Sequence, residues 1–494
     1  MVTKSATRPH TTIISLSKPF FFDSIFLSLL LQNSLQQLDV LILFFTMYHY
    51  RPILFSCTIF VMITGDNQII VMKESKNGGL LLMNNCIVAQ SGGPTVAINA
   101  SLSGVIEKAA ASGSFDHIYG SLHGILGILN NDIICFDDKL EEGHFLSSLA
   151  ITPAMYLGSC RYKLPKMQDD EEVYEKIFQF FEKHEIASFF YIGGNDSMDT
   201  VLQLSTYAKL HNKAVTIMGV PKTIDNDLCL TDHTPGFGSA AKYIATTMLE
   251  IAYDTSIYPL QSVTIVEIMG RDAGWLTGAA SLATTSYGLG PDFIYLPEAS
   301  FDTEQFLSDI QTRMEEKPNI LVAISEGIRD KDGNYISASS KTVDSFGHSQ
   351  LSGAGKTLEN LVSHRLGVKV RSIELNLPQR CAAHLASQTD IEESKELGRT
   401  AVAHALEGAS GYMSIIKRTS DAPYTTAYDI ADIRGIANEV KSVPRDFINE
   451  AGNNVTEKMT SYLRPLIAGQ TQITYQDGMP VYLPLQHLYP KTAK

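Results

Sequence analysis

The sequence predicts an α/β fold on three observations. From Met83 onward, apolar runs of strand length recur. Each gives way to a turn dense in glycine or polar residues, and the segments beyond those turns carry apolar residues at helical spacing. Buried strands are predicted at 86–90 (CIVAQ), 188–192 (SFFYI), 215–220 (VTIMGV), 262–270 (SVTIVEIMG), 293–297 (FIYLP), 320–325 (ILVAIS) and 370–375 (VRSIEL). After the first strand, Ile98, Leu102, Val105, Ile106 and Ala109 form a stripe one helix face can bury. In open parallel sheets the ligand crevice lies beyond the carboxyl ends of the strands, so the turns after these runs are the expected place for chemistry.

With 494 residues, the chain has material for about three domain-sized units or two larger lobes. Hydrophobic residues at 44% and charged residues at 19% exclude a disordered or collagenous chain. Lys+Arg 39 against Asp+Glu 53 gives a net charge of -14, which argues against nucleic acid as a partner and requires a local cluster of cations for any anionic ligand. The 6 cysteines are scattered without a Cys-x-x-Cys pair, so a reducing, cytoplasmic setting and no structural zinc are expected.

Residues 1–82 form an apolar extension. Asp23, Asp39 and Arg51 cut it into charge-free pieces too short for a spanning helix of about 20 residues, so no membrane association is expected. FFFDSIFLSLLL, after Lys4, Arg8 and Lys18, imitates an export signal, but Asp23 breaks its apolar region and no small-residue cleavage site follows. The expectation is that translation begins at Met83, directly before CIVAQ, and that the extension is an upstream misreading of the gene.

Three turns carry the chemistry. SGGPTVAIN, Ser91 to Asn99, places Gly92 and Gly93 between strand and helix, where backbone N–H groups and the helix N-terminus can receive an anion, although glycine there also serves plain chain reversal. IGGNDSMDT, Ile192 to Thr200, repeats the arrangement. VPKTIDNDL, Val220 to Leu228, sets Lys222 beside Thr223, Asp225 and Asp227. Singly, either aspartate would be a turn or cap residue. Packed directly after a strand, the group offers a cation for a phosphate and a carboxylate for a hydroxyl proton, which suits phosphoryl transfer. Two imitations fall away: SGAGKT at 352–357 lacks the leading glycine of a phosphate-binding P-loop, and GFGSAA at 236–241 does not follow a strand.

SGGPTVAIN, LGSCR, IGGNDSM, PKTIDND, EIMGRDAGW, ISEG and a late QR stand in the order found in the phosphofructokinase family, which the segment from Met83 to about Gly411 resembles. The resemblance implies a two-lobed α/β fold with mostly parallel sheets and helices on both faces, and transfer of a phosphoryl group to the 1-hydroxyl of fructose 6-phosphate. It implies that Asp225 is the general base, that Thr223, Ile224 and Asp227 shape the site around it, and that Gly92, Gly93 and Lys222 receive diphosphate. Met269, Gly270 and Arg271 would line the sugar phosphate site and Glu326 would bind a sugar hydroxyl. Arg371 and Arg380 would clamp the 6-phosphate, where forked guanidiniums match phosphate oxygens. Arg161 of LGSCR would stabilise the transferring group. Taken singly, each arginine reads as a surface ion pair.

The family contains ATP-dependent and pyrophosphate-dependent members. ATP-type members resemble GGDGS and PGTIDND; this chain has Asp196 and Lys222 in place of the two glycines, the pyrophosphate-dependent pattern. A carboxylate at Asp196 would repel the inner phosphate of ATP, and Lys222 would hold a short diphosphate that has no nucleoside to anchor it. Alternatives are an ATP-dependent enzyme or a noncatalytic regulatory subunit on the same fold. The chain also departs from the family pattern. Asn195 stands where a magnesium-associated Asp is common, so it is the expected contact for Mg2+, as a weaker neutral donor, with water or the neighbouring Asp196 as the alternative route to the metal. Leu377 and Ser262 replace a sugar-contacting histidine and an arginine lent by a neighbouring subunit, with Lys356 a compensating cation. Trp275, beside the MGR motif, is expected to adjoin the sugar site.

The implied organisation is a phosphoryl-donor lobe at 83–236, a sugar-phosphate lobe at 237–380, a return to the first lobe at 381–440 and a tail at 441–494. Beyond Gly411 the chain, including DIADIRGIANEVKSVPRDFIN, reads as helical and polar. The family resemblance also implies a homodimer or homotetramer.

Overall fold

The computed structural model describes residues 84–336 and 353–485 in full, together with the main chain of six strands upstream. The expected start at Met83 and the apolar run at 20–31 lie outside the described residues. The chain divides into two compact units, Met1–Asn85 with Phe181–Ala187, and Cys86–Phe180 with Ser188–Lys494. In the first unit, strands Val2–Arg8, Thr11–Leu16, Val40–Met47, Cys57–Thr64, Ile69–Glu74 and Leu80–Leu82 form one sheet in chain order. Among the described residues, no helix is long and apolar enough to cross a membrane.

The second unit is built on two sheets. Strands β1 (Asn85–Gln90), β2 (Ile118–Ser121), β3 (Ile133–Cys135), β4 (Ile186–Gly193) and β5 (Thr216–Pro221) enter the first. The chain then builds a second sheet from β6 (Ser262–Ile268), β7 (Phe293–Tyr295), β8 (Asn319–Ser325) and β9 (Lys369–Glu374). It returns to the first with β10 (Tyr412–Asp421) and β11 (Tyr424–Asp432). The first sheet runs β11-β10-β5-β4-β1-β2-β3, and the second β7-β8-β6-β9. Every pairing in the second sheet is parallel. The first is parallel across β10-β5, β5-β4 and β1-β2, with antiparallel strands at its two edges.

Both faces of the first sheet are covered. Val88, Phe190, Ile192, Met218 and Val220 pack with α1 (Ile98–Ser112) and α6 (Gln388–Leu406), while the alternate residues Ile87, Ala89, Phe189, Tyr191 and Ile217 are equally buried. Continuous burial explains why these strands read as unbroken apolar runs. The predicted stripe Ile98, Leu102, Val105, Ile106 and Ala109 is fully buried on α1. Helices α1 and α6 approach so closely that a Cβ on Gly104 would stand 2.1 Å from the carbonyl oxygen of Lys395. The remaining helices that position the site are α2 (Asn195–Leu210), α3 (Phe237–Ser256), α4 (Ala354–Leu366), α5 (Pro378–Cys381) and α7 (Glu457–Leu463).

Two expectations need correction. From Tyr412 to Phe447 the chain is a β-hairpin followed by short turns, without the expected helical run, and helix returns later as α7: β10 and β11 pair antiparallel, and 433–435 and 445–447 are single 3-10 turns. Ile430, Ile433 and Ile436 recur every third residue and imitate a helical stripe, but Gly435 and Pro444 interrupt it and β5 captures Tyr412 and Met413 first. The strand predicted as buried at 370–375 is β9, which among the described residues pairs only with β6 at the edge of its sheet, and its residues are exposed or half-buried.

Candidate active site

The carboxyl ends of β4 and β5 are aligned by parallel register, Gly193 opposite Pro221, and the peptide N–H of Lys222 donates to the carbonyl of Gly193 at 2.9 Å. The Lys222 side chain, 4% exposed, turns back under the glycine turn after β1. Gly92 has φ 83, and a Cβ there would lie 3.0 Å from Lys222 Nζ; one on Gly194 would lie 4.0 Å away. At Gly92, with its positive φ and the close approach of the ammonium, a residue without a side chain is required. Burial pushes the Lys222 pKa down to about 8, against the pull of Asp225 and Asp227 and, more weakly, Asp196.

After Thr223 the loop is shaped by Asn226, which is fully buried at φ 56, a left-handed conformation that Asn tolerates better than most residues. Thr223 Oγ1 accepts from the Asp225 N–H at 3.1 Å and its carbonyl accepts from Thr234 Oγ1 at 2.7 Å. Burial, then the charge of Asp227, raises the Asp225 pKa to about 7, opposed by Lys222, Arg271 and Arg380. Burial also raises Asp227, whose Oδ1 is buried without a hydrogen-bond partner.

The ends of β6 and β8 supply the opposite wall. The Met269 N–H donates to Gln379 Oε1 at 3.2 Å, and the Gly270 N–H to Glu326 Oε1 at 3.3 Å. Arg271 has its Nε buried and unpartnered, and its charge is felt by both Asp225 and Glu326. Burial, then the charge of Asp225, raises Glu326 to about 7. From α5, Arg380 reaches the glycine turn, its Nη1 standing 3.1 Å from where a Cβ on Gly93 would be. Burial lowers its pKa, and so does the nearby charge of Arg161.

The structure therefore gathers Gly92, Gly93, Lys222, Thr223, Asp225, Asp227, Met269, Gly270, Arg271, Glu326 and Arg380 around one space, with Asp196 and Arg161 coupled to its cations. It places others elsewhere. Asn195 accepts from the Asn438 N–H at 2.5 Å through Oδ1 and donates to the Glu439 carbonyl at 2.6 Å through Nδ2, so both polar atoms serve the main chain of that loop. Ile224 points its side chain into the core. Arg371 is exposed on edge strand β9, Leu377 is 55% exposed, Lys356 pairs with Glu359 on the surface, and Ser262 Oγ accepts from Asn319. Trp275 is buried against Phe447 and Tyr462, and its Nε1 donates to the Lys441 carbonyl at 2.9 Å, so its polar atom serves the tail. Lys441, which contacts the 226–232 loop, went unnoticed in the sequence because it is a single lysine in a polar stretch without a motif.

A family model described as Phosphofructokinase matches residues 85–382. The pyrophosphate--fructose 6-phosphate 1-phosphotransferase of Xanthomonas campestris pv. campestris (strain B100) is 40% identical over 407 residues, 82% of this chain and 96% of that protein. The protein of the same name from Halomonas elongata is 39% identical over 403 residues, 81% and 96% of the two chains. Among solved structures, pyrophosphate-dependent phosphofructokinase from Nitrosospira multiformis superposes with a TM-score of 0.74 at 36% identity, covering 83% of this chain and 99% of the other. The two mostly parallel sheets, the glycine turns at the carboxyl ends of their strands and the ordered motifs agree with these matches, and the chain belongs to the phosphofructokinase family.

Proposed function

We propose that the chain transfers a phosphoryl group from inorganic pyrophosphate to the 1-hydroxyl of fructose 6-phosphate, giving fructose 1,6-bisphosphate and phosphate, reversibly and as a step of glycolysis. The observation that carries this reading is the buried Lys222 ammonium between Gly92 and Gly194, electrostatically coupled to Asp225 and Asp196. Pyrophosphate would sit against Gly92, Gly93 and Lys222. Asp225, with a pKa of about 7, is poised near neutral pH to take the proton of the attacking hydroxyl. Arg271 and Glu326 would orient the sugar phosphate. Arg161 would stabilise charge spread over the transferring group, and of the two arginines expected to clamp the 6-phosphate Arg380 stands beside the glycine turn with its charge felt by Asp225, whereas Arg371 lies exposed on its edge strand. Asp196 would exclude the inner phosphate of ATP.

A magnesium ion fits the donor set. Asp227 offers a buried carboxylate oxygen without a partner, and Asp196 a second carboxylate, whereas the Asn195 amide is committed to residues 438 and 439. Bound there, the ion would neutralise diphosphate charge. In this reading residues 83–236 with the return at 381–440 form the donor lobe, residues 237–380 the sugar-phosphate lobe, and 441–494 a tail, in a cytoplasmic homodimer or homotetramer.

The test is direct: purified protein with fructose 6-phosphate and magnesium, offered pyrophosphate or ATP. Turnover with pyrophosphate is expected. Turnover with ATP alone would overturn the donor, and turnover with neither would mark a regulatory subunit.

A further inference from the structure

Resting on the reading above, we propose that Lys441 is a positioning residue for phosphoryl transfer: it locks the left-handed Asn226 and so aims the flanking carboxyl groups of Asp225 and Asp227 into the site. The geometry is complete. An ammonium has three donors, and Lys441 Nζ makes three hydrogen bonds: to Asn226 Oδ1 at 3.1 Å, to the Thr231 carbonyl at 3.1 Å and to the Asp232 carbonyl at 2.8 Å. Its own peptide N–H donates to the Asp227 carbonyl at 2.8 Å. One residue of the tail thus holds positions 226, 227, 231 and 232 of a loop more than two hundred residues upstream. The same ammonium lies 5.5 Å from the centre of the Trp275 ring, whose Nε1 binds the Lys441 carbonyl. Tyr462 of α7 closes the clamp, accepting from Asn226 Nδ2 at 2.9 Å and donating to the Asp232 carbonyl at 2.7 Å.

Asn226 carries the argument. Its side chain is fully buried and both its polar atoms are used, Oδ1 by Lys441 and Nδ2 by Tyr462. Left-handed backbone at a non-glycine residue persists where its surroundings over-determine it. Here those surroundings come from the tail, and the residue so held stands between the two carboxylates. Lys441 touches no reacting group by this reading and acts only through the loop.

The test measures Lys441→Met, Asn226→Gly and the double variant for kcat, for KM toward both substrates, for Tm and for Trp275 emission. Glycine keeps positive φ without the clamp. Lys441→Met should lower kcat about 10–100-fold, with both KM values within about threefold of the parent, because misplacing a reacting group by about 1 Å costs about that much. The double variant should lose less than the product of the two single losses, since both changes break the same Lys441–Asn226 hydrogen bond. Trp275 emission should shift as the cation leaves the ring. Losses that multiply in the double variant, or a kcat per folded molecule within about twofold of the parent, overturn the inference. If Lys441→Met fails to fold, Tyr462→Phe removes the second hold on Asn226 and carries the same test with a drop of about 3–10-fold, and an unchanged kcat there overturns the inference. A parent without pyrophosphate turnover sinks the functional reading and this inference with it; an active parent with an unchanged Lys441→Met sinks the inference alone.

Discussion

Asp225→Asn separates what the carboxylate does for chemistry from what it does to stability, and the two effects run in opposite directions. Loss of the base should lower kcat by about 10²–10⁴-fold. For stability, the unfolded chain releases the Asp225 proton near 3.8, whereas burial and the neighbouring Asp227 hold it in the folded chain up to about 7. Between those values the folded state binds more protons, so the contribution of Asp225 to stability is intact below the lower value and is lost as pH rises through the upper one. A difference of about three pK units sets a ceiling of about 4 kcal/mol on that loss. Asparagine avoids it. Part of the gain is returned because Asp225 is the foremost counter-charge holding up the depressed pKa of Lys222. The expected result, by calorimetry without divalent cations, is a variant equal to the parent near pH ~4, increasingly more heat-stable toward pH ~7 and constant beyond. Equal or lower Tm at about pH 8, or a kcat within about tenfold of the parent, would refute the placement of an ionisable base in a buried site.

Three further substitutions probe the remaining parts of the site. Asp196→Gly removes a carboxylate that Lys222 feels, and the inhibition constant of ATP against pyrophosphate should fall by about tenfold or more; an unchanged constant would count against charge exclusion. Gly92→Ala puts a methyl 3.0 Å from Lys222 Nζ on a backbone of φ 83, so KM for pyrophosphate should rise about tenfold or more while KM for fructose 6-phosphate changes little; equal effects on both would show general distortion. Asn195→Asp leaves an acceptor facing the Asn438 N–H but sets a second oxygen against the Glu439 carbonyl, so stability should drop by about 1–3 kcal/mol in denaturant titration; no drop would free this side chain for another role.

The strands that hold the site were legible because the information is local. Phe189, Phe190, Tyr191 and Ile192 are buried on both faces of a covered sheet and so form an unbroken apolar run. The same reasoning failed at β9, whose Val370 and Ile373 look buried although, among the described residues, no strand pairs with its outer edge. The hairpin β10-β11 escaped notice for a related reason: Met413 is buried through pairing with Gly219, nearly two hundred residues away. At the site, Lys222, Thr223, Asp225 and Asp227 announce themselves as a cluster after a strand. Asn195 stands within an equally suggestive turn, yet its amide is spent on residues 438 and 439, a contact only the folded chain reveals.

Donor choice, on the proposed reading, depends on one packing relation. Asp196 and Lys222 follow β4 and β5, which are neighbours in the sheet and run parallel with Gly193 opposite Pro221. Parallel pairing brings two carboxyl ends to the same edge, so the residues just beyond them meet although the helix between the strands keeps them apart in sequence. Had the strands been antiparallel neighbours, the carboxylate and the ammonium would stand at opposite edges and could not act on one phosphate chain. Side by side, they can attract a short diphosphate and repel a longer one at once. A change at Asp196 should therefore be read together with Lys222, because Lys222 lies far below the usual lysine range through burial and Asp196 is among the few groups that raise it.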